Sequence, residues 1–341
     1  MLIINSSNRP VLALTLVSSI ILIVVILTTT SSFSDLCFSY AQKEEDQNQK
    51  EQQQYFFLNK WDSQGSGDGQ LKSPHSIDVD PFGYVYVADS GNNRVQKFTA
   101  DGKFITKWGT KGAGNGQFKV LHDVGVDPSG RFVYTVELGN PRVQKFTADG
   151  KFITKWGYEQ TGGRGALRNP HQIAVDSSGN LYLPDKGGSE VLKFDSNGKF
   201  VTKWGSEGTE NGQFKTPHGV AIDSTDHIYI TDMDNFRVQK FDGKGNFITK
   251  WGSEGLGDGQ FSKVTPGIDI DSSNFVYVID KEHSVVQKFT TDGKFITKWG
   301  SEGLGDGQFK LPEDIAVNSK TGNVYVTDTG NSRIQVFSIV K

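Results

Sequence analysis

The chain's six tryptophans fall at Trp61, Trp108, Trp156, Trp204, Trp251 and Trp299, separated by 47, 48, 48, 47 and 48 residues. No other feature constrains the fold as strongly. A unit of this length that recurs six times must bury its apolar face against copies of itself, which points to a propeller or a solenoid. Some copies are identical: "RVQKFTADGKFITKWG" occurs at 94–109 and at 142–157, and "FITKWGSEGLGDGQF" at 247–261 and at 295–309.

Each unit reads as four short strands. In the fourth these are "GVAID" (219–223), "HIYITD" (227–232), "RVQKFD" (237–242) and "FITKWG" (247–252), separated by "STD", "MDNF" and "GKGN". Those breaks are turn chemistry, and the strands are rich in β-branched and aromatic residues. The 40 glycines, 23 phenylalanines and 10 tyrosines fit the same picture. Four antiparallel strands per unit make a propeller blade. The last unit ends with "RIQVFSI" (333–339) and lacks a fourth strand, while "YFFLNKW" (55–61) is an unpaired strand before the first unit. The expected fold is therefore all-β: a monomeric six-bladed β-propeller over 55–341 whose last blade is closed by the N-terminal strand, which removes the open edges.

Two segments precede it. Residues 11–27, "VLALTLVSSIILIVVIL", follow Arg9 and are wholly uncharged. They are a little long for a signal-peptide core and short for a comfortable span. With small residues at Ser39 and Ala41, residues 1–41 are expected to be a signal peptide cleaved after Ala41 or a membrane anchor, which makes the protein secreted or held at the cell surface. A membrane contact is expected only through 11–27, if uncleaved. The one cysteine, Cys37, lies before the cleavage point, and Leu36 makes "SDLC" a poor lipidation box. Residues 42–54, mostly "KEEDQNQKEQQQ", read as a polar flexible linker. The 36 basic and 39 acidic residues leave no basic footprint for nucleic acid.

"PHGVAIDSTDHIYITDMDNFRVQKFD" and "LPEDIAVNSKTGNVYVTDTGNSRIQVF" resemble NHL repeats, which form six-bladed β-propellers. The resemblance runs through nearly all of 55–341. It implies a platform, and function must be argued from the site.

Just before the first strand of each blade the chain places His75, His122, His171, His218, Pro266 and Glu313. In a propeller this slot repeats around one mouth of the central channel. Imidazole and carboxylate are zinc ligands. Alternate blades would bring together His122, His218 and Glu313 as one set, or His75, His171 and Pro266 as an incomplete one. The slot is also similar to the "PH" motifs of peptidyl-hydroxyglycine amide lyases, which hold a catalytic zinc on NHL-like propellers. That resemblance maps onto His75, His171 and His218, and less cleanly onto His122, which follows Leu121. Those lyases also use a tyrosine in the loop after a second strand. The loops here, "DSGNNR", "ELGNPR", "DKGGSE", "DMDNFR", "DKEHSV" and "DTGNSR", contain none. Alternatively, the histidines satisfy loop backbone groups and recur because the repeats do.

A second, acidic ring ends the second strands: Asp89, Glu137, Asp185, Asp232, Asp280 and Asp328. Arg94, Arg142, Arg237 and Arg333 open the third strands of four blades. An intra-blade ion pair is the favoured reading of this ring, with ligand contact as the other. Glu190 and Val285 break the pattern, so ligand selectivity is expected in blades three and five. Blade three's divergent connector adds Arg164 and Arg168 as candidate ligand contacts. The connectors "GLGDGQF" are not phosphate loops, and Phe118, Phe214, Phe261 and Phe309 are expected to anchor the next blade. His227 and His283, outside the slot, are expected to be solvated. The function expected from all this is an exported binding or scaffold module for a protein, peptide or glycan at the channel mouth. The alternative is a lyase or lactone hydrolase that uses zinc or another divalent metal bound by the histidine ring.

Overall fold

A computed structural model describes residues 54–61, 63–157, 165–262 and 266–339. The segments 1–41 and 42–53, with Cys37, and the connector residue Arg164 lie outside the described residues. Among those described, no helix is long and apolar enough to cross a membrane.

Six four-stranded antiparallel sheets form the six blades. Blade one has strands Pro74–Val79, Val85–Asp89, Arg94–Phe98 and Phe104–Trp108, from axis to rim. Blade six takes three strands from the C-terminal end and its outer one, Tyr55–Trp61, from the N-terminal end. Tyr55 pairs with Ile339 and Trp61 with Ile334, so the ring is closed by hydrogen bonds between the chain's two ends. The first strands begin earlier than the sequence suggests. In blade four the strand is Pro217–Ile222, which puts His218 inside it.

Burial follows the radial order. The second strands are buried along their length apart from the half-buried Phe132 and Phe275 that open two of them, whereas outer strands such as Phe104–Trp108 alternate between half-buried and exposed residues. The tyrosine of each second strand (Tyr86, Tyr134, Tyr182, Tyr229, Tyr277 and Tyr325) is fully buried. In four blades its hydroxyl donates to the aspartate that ends the first strand, as from Tyr229 to Asp223 (2.8 Å) and from Tyr277 to Asp271 (2.7 Å). The same aspartates accept backbone N–H bonds from the following turn, as Asp80 does from Phe82 and Tyr84.

The tryptophans join one blade to the next. The indoles of Trp61, Trp108, Trp156, Trp204 and Trp251 lie against Gly102, Gly150, Gly198, Gly245 and Gly293, each in the outer hairpin of the following blade. A Cβ at Gly102 would sit 2.2 Å from the Trp61 ring, so those positions admit only glycine, which the positive φ also favours. Trp299 faces the blade whose outer hairpin is interrupted by the chain ends. There Tyr55 takes the glycine's place and stacks on the indole at 3.9 Å with an interplanar angle of 14°. Phe118, Phe214, Phe261 and Phe309 are fully buried after their connectors, and Leu71 takes that position in blade one.

Candidate functional site

The first strands line the axis, and their opening residues form one mouth of the channel. Three of the slot residues converge there. His122, His171 and His218, from consecutive blades two to four, bring a nitrogen each to within 4.8 Å of one another. They are the only such group of three potential metal ligands among the described residues. The set is not the alternate one expected from the repeat. Glu313 instead pairs with Lys281, and its other oxygen lies 3.9 Å from His75 Nε2. The His75 ring packs against that of His122 at a tilt of 48°, with centroids 3.9 Å apart.

The hydrogen bonds fix how these imidazoles face. His122 Nδ1 lies 2.9 Å from the carbonyl of His171, and His218 Nδ1 lies 3.1 Å from that of Pro266. A carbonyl only accepts, so each Nδ1 carries the proton and each Nε2 keeps a lone pair. A carbonyl partner on the far nitrogen is the usual second support of a metal-binding histidine. His171 differs: both of its ring nitrogens are buried and have no partner. Burial holds all four histidines in the neutral, ligating form. His171 is lowered to about 3, with the charges of His122 and Lys186 adding to the effect, and His75 to about 4, with Lys281 and His171 adding. His122 and His218 are driven well below the usual value, again first by burial. Burial raises the Glu313 carboxyl, against the opposing pull of Lys281.

Below the histidines the channel widens into a cavity of about 260 Å³ that holds four carboxylates, Asp78, Asp123, Asp269 and Asp314. Sequence reasoning missed them, because they occupy different strand positions in different blades. Each accepts a backbone N–H from the next blade, in or just before its first strand: Asp78 from Val126 (2.6 Å), Asp123 from Ile173 (2.7 Å), Asp269 from Val317 (2.7 Å) and Asp314 from Ile77 (3.1 Å). Ser76 and Gln172 make the same link to Val124 and Val220. These side chains tie the inner strands to one another, which pair with no strand across the axis.

Burial raises Asp78 to about 7 and Asp269 to about 8, the latter also through the charge of Asp78, and lifts Asp123 and Asp314 in the same direction. Asp269 therefore keeps a proton in the fold that an unfolded chain releases near 3.8. The folded state binds more protons across that span, so stability falls as pH rises through it. The histidines act with the opposite sign below their ordinary 6.5 and contribute nothing above it. The melting temperature should accordingly drop between pH 6.5 and 8, by the equivalent of roughly 2–3 kcal/mol. Asp269→Asn should flatten this slope, and an unchanged slope in that variant would remove the assignment.

The acid–arginine ring lies within the wall of the propeller. Arg94, Arg142, Arg237 and Arg333 bond to Asp89, Glu137, Asp232 and Asp328, and all eight side chains are buried. Each guanidinium also donates to three carbonyls of the connector that enters its blade, as Arg94 does to Ser66, Gly67 and Gln70. These residues clamp connectors. Asp185 instead accepts the backbone N–H groups of Arg168, Asn169 and Gly187, and Glu190 pairs with Lys203. Arg168 is exposed. His227 and His283 are half-buried, and each also touches a buried carboxylate: His227 Nδ1 is 3.1 Å from Asp223 and His283 Nδ1 is 2.8 Å from Asp280.

Known proteins agree with this fold. A family model described as NHL repeat matches residues 71–98, 214–241 and 309–337, so the chain carries NHL repeats. Protein lin-41 of Caenorhabditis elegans is 59% identical over 39 residues, which is 11% of this chain and 3% of that protein. Three solved structures share the fold. A streptogramin B lyase aligns at TM-score 0.56 with 11% identity, covering 84% of this chain and 98% of its own. A Bacteroides thetaiotaomicron protein of unknown function aligns at 0.64 with 17% identity, over 84% and 76%. A gluconolactonase from Xanthomonas campestris aligns at 0.58 with 13% identity, over 80% and 88%.

Proposed function

We propose that the chain is an exported or cell-surface binding module that recognises a protein, peptide or glycan at the histidine-lined mouth of its channel. His122, His171 and His218 would hold a zinc-type divalent ion at that mouth. One observation carries the reading: three neutral imidazoles meet at one point, and the central one is buried with neither nitrogen bonded. Leaving such a group without a partner is costly, and a metal ion is the partner that all three share. Three nitrogen ligands leave a fourth zinc position for water or for an oxygen of the bound ligand. Lys281 and Glu313 form an ion pair close to His75 and can orient a polar group there.

A second reading, turnover at this ion by a lyase or hydrolase, draws on Glu313. Its raised carboxyl, paired with Lys281 and 3.9 Å from His75 Nε2, has the character of a general acid or base. The names of two structural neighbours point the same way.

Protein purified without a histidine tag should contain close to one equivalent of zinc or a similar ion by elemental analysis. His122→Ala/His218→Ala should lose it and keep a native β-sheet circular dichroism spectrum. Wild-type protein that stays metal-free in excess zinc would end both readings.

A further inference from the structure

Blade five breaks the arginine clamp without losing the frame around it. In blade six, Arg333 donates to the carbonyls of Leu304, Gly305 and Gln308, each at 2.8 Å, and through Nε to Asp328. In the connector entering blade five, residues 253–261 are identical in sequence to 301–309 and fold the same way. Gln260 N–H bonds to Gly257 O (3.1 Å), and Gln287 Nε2 bonds to Gln260 O (2.6 Å). The counterparts in blade six are Gln308 to Gly305 (3.2 Å) and Gln335 to Gln308 (2.6 Å). Val285, however, stands where Arg333 stands. The space left is a cavity of about 220 Å³ bordered by Gly257, Gln260, Asp280, His283 and Lys298.

We propose that this cavity receives a guanidinium group from outside, the arginyl side chain of a peptide or protein partner. Blades one, two, four and six show what the frame is built to hold: the same three connector carbonyls and the same buried acid each surround a guanidinium. In blade five the acid is retained. Asp280 is fully buried and is bonded by Ser262 N–H (3.0 Å), the Ser262 hydroxyl and His283 Nδ1 (2.8 Å). A planar fork of N–H groups suits carbonyls set at these angles, and a lysine ammonium does not reproduce it. Lys298 at the rim is held by Asp258 (3.1 Å) and reaches Leu256 O only at 3.4 Å, which leaves the inner carbonyls open. Leu256 and Lys298 are exposed, so the cavity opens to solvent. No residue of the histidine slot borders this cavity, and binding there does not depend on a metal.

Ligand-observed NMR titration of the whole protein tests this, with N-acetyl-arginine amide, N-acetyl-citrulline amide, N-acetyl-lysine amide and free arginine. The arginine amide should bind saturably, at least tenfold more tightly than its citrulline or lysine counterparts. Val285→Arg should abolish that binding and raise the melting temperature, because it restores the clamp. Equal binding of citrulline, or unchanged binding in Val285→Arg, overturns the proposal. Should Val285→Arg fail to fold, the citrulline comparison on wild type still decides. Binding of free arginine without the blocked amide would overturn the assignment to a peptide.

Discussion

A chain that begins at residue 63 should fail to fold into a cooperative unit, and a peptide of residues 54–62 added in trans should restore it. The strand Tyr55–Trp61 joins three blades at once. It completes blade six by pairing with Arg333–Ile339. Tyr55 reaches blade five, where its hydroxyl lies 2.7 Å from that of Tyr277 and its ring stacks on Trp299. Trp61 reaches blade one, against Gly102 and Phe98. Burial of Tyr55 and Trp61 contributes about 2–3 kcal/mol apiece. Removing the strand also exposes the edge of blade six and opens the ring. Domains are stable by roughly 5–15 kcal/mol in total, so the loss is comparable to the whole. Thermal unfolding followed by tryptophan fluorescence is the measurement. A truncated chain that melts within a few degrees of the intact one would show that ring closure is dispensable.

That closure was legible in the sequence because it is a matter of counting strands: one unit lacks a fourth and one strand lacks a unit. The histidine slot was legible for the same reason, since it recurs at a fixed place in the repeat. Which histidines meet was not. Sixfold geometry suggests alternate blades, but blade three's first strand is reduced to Ala174–Val175, and His171 lies between His122 and His218, with ring centroids 4.6 and 4.2 Å away. Glu313 is withdrawn by Lys281, a loop residue 32 positions away that no periodicity links to it. The channel carboxylates were missed because Asp78 and Asp269 share one strand position while Asp123 and Asp314 share another. The irregularity at Val285 was visible as a substitution, but its cavity depends on connector carbonyls, and backbone groups leave no mark in a sequence.

The arginine clamp yields the second large effect. Arg237→Val, which installs the blade-five residue in blade four, should destabilise the propeller by roughly 3–5 kcal/mol. Arg237 bonds Asp232 through Nε (2.9 Å) and the carbonyls of Thr209, Glu210 and Gln213 through its terminal nitrogens (2.6, 3.0 and 2.7 Å). Truncation strands a fully buried carboxylate and three acceptors in the wall. Blade five tolerates its valine because Asp280 has other donors. His283 takes the place of Asn235, and Ser262, which follows Phe261 as Lys215 follows Phe214, adds a hydroxyl to its backbone N–H. Grafting Asn235→His and Lys215→Ser onto Arg237→Val should therefore return at least about 1 kcal/mol, although the same pair has no such benefit in the wild-type background. Urea unfolding of the four proteins in this cycle measures the coupling. Strict additivity would mean that the valine of blade five is tolerated for a reason other than the support of Asp280.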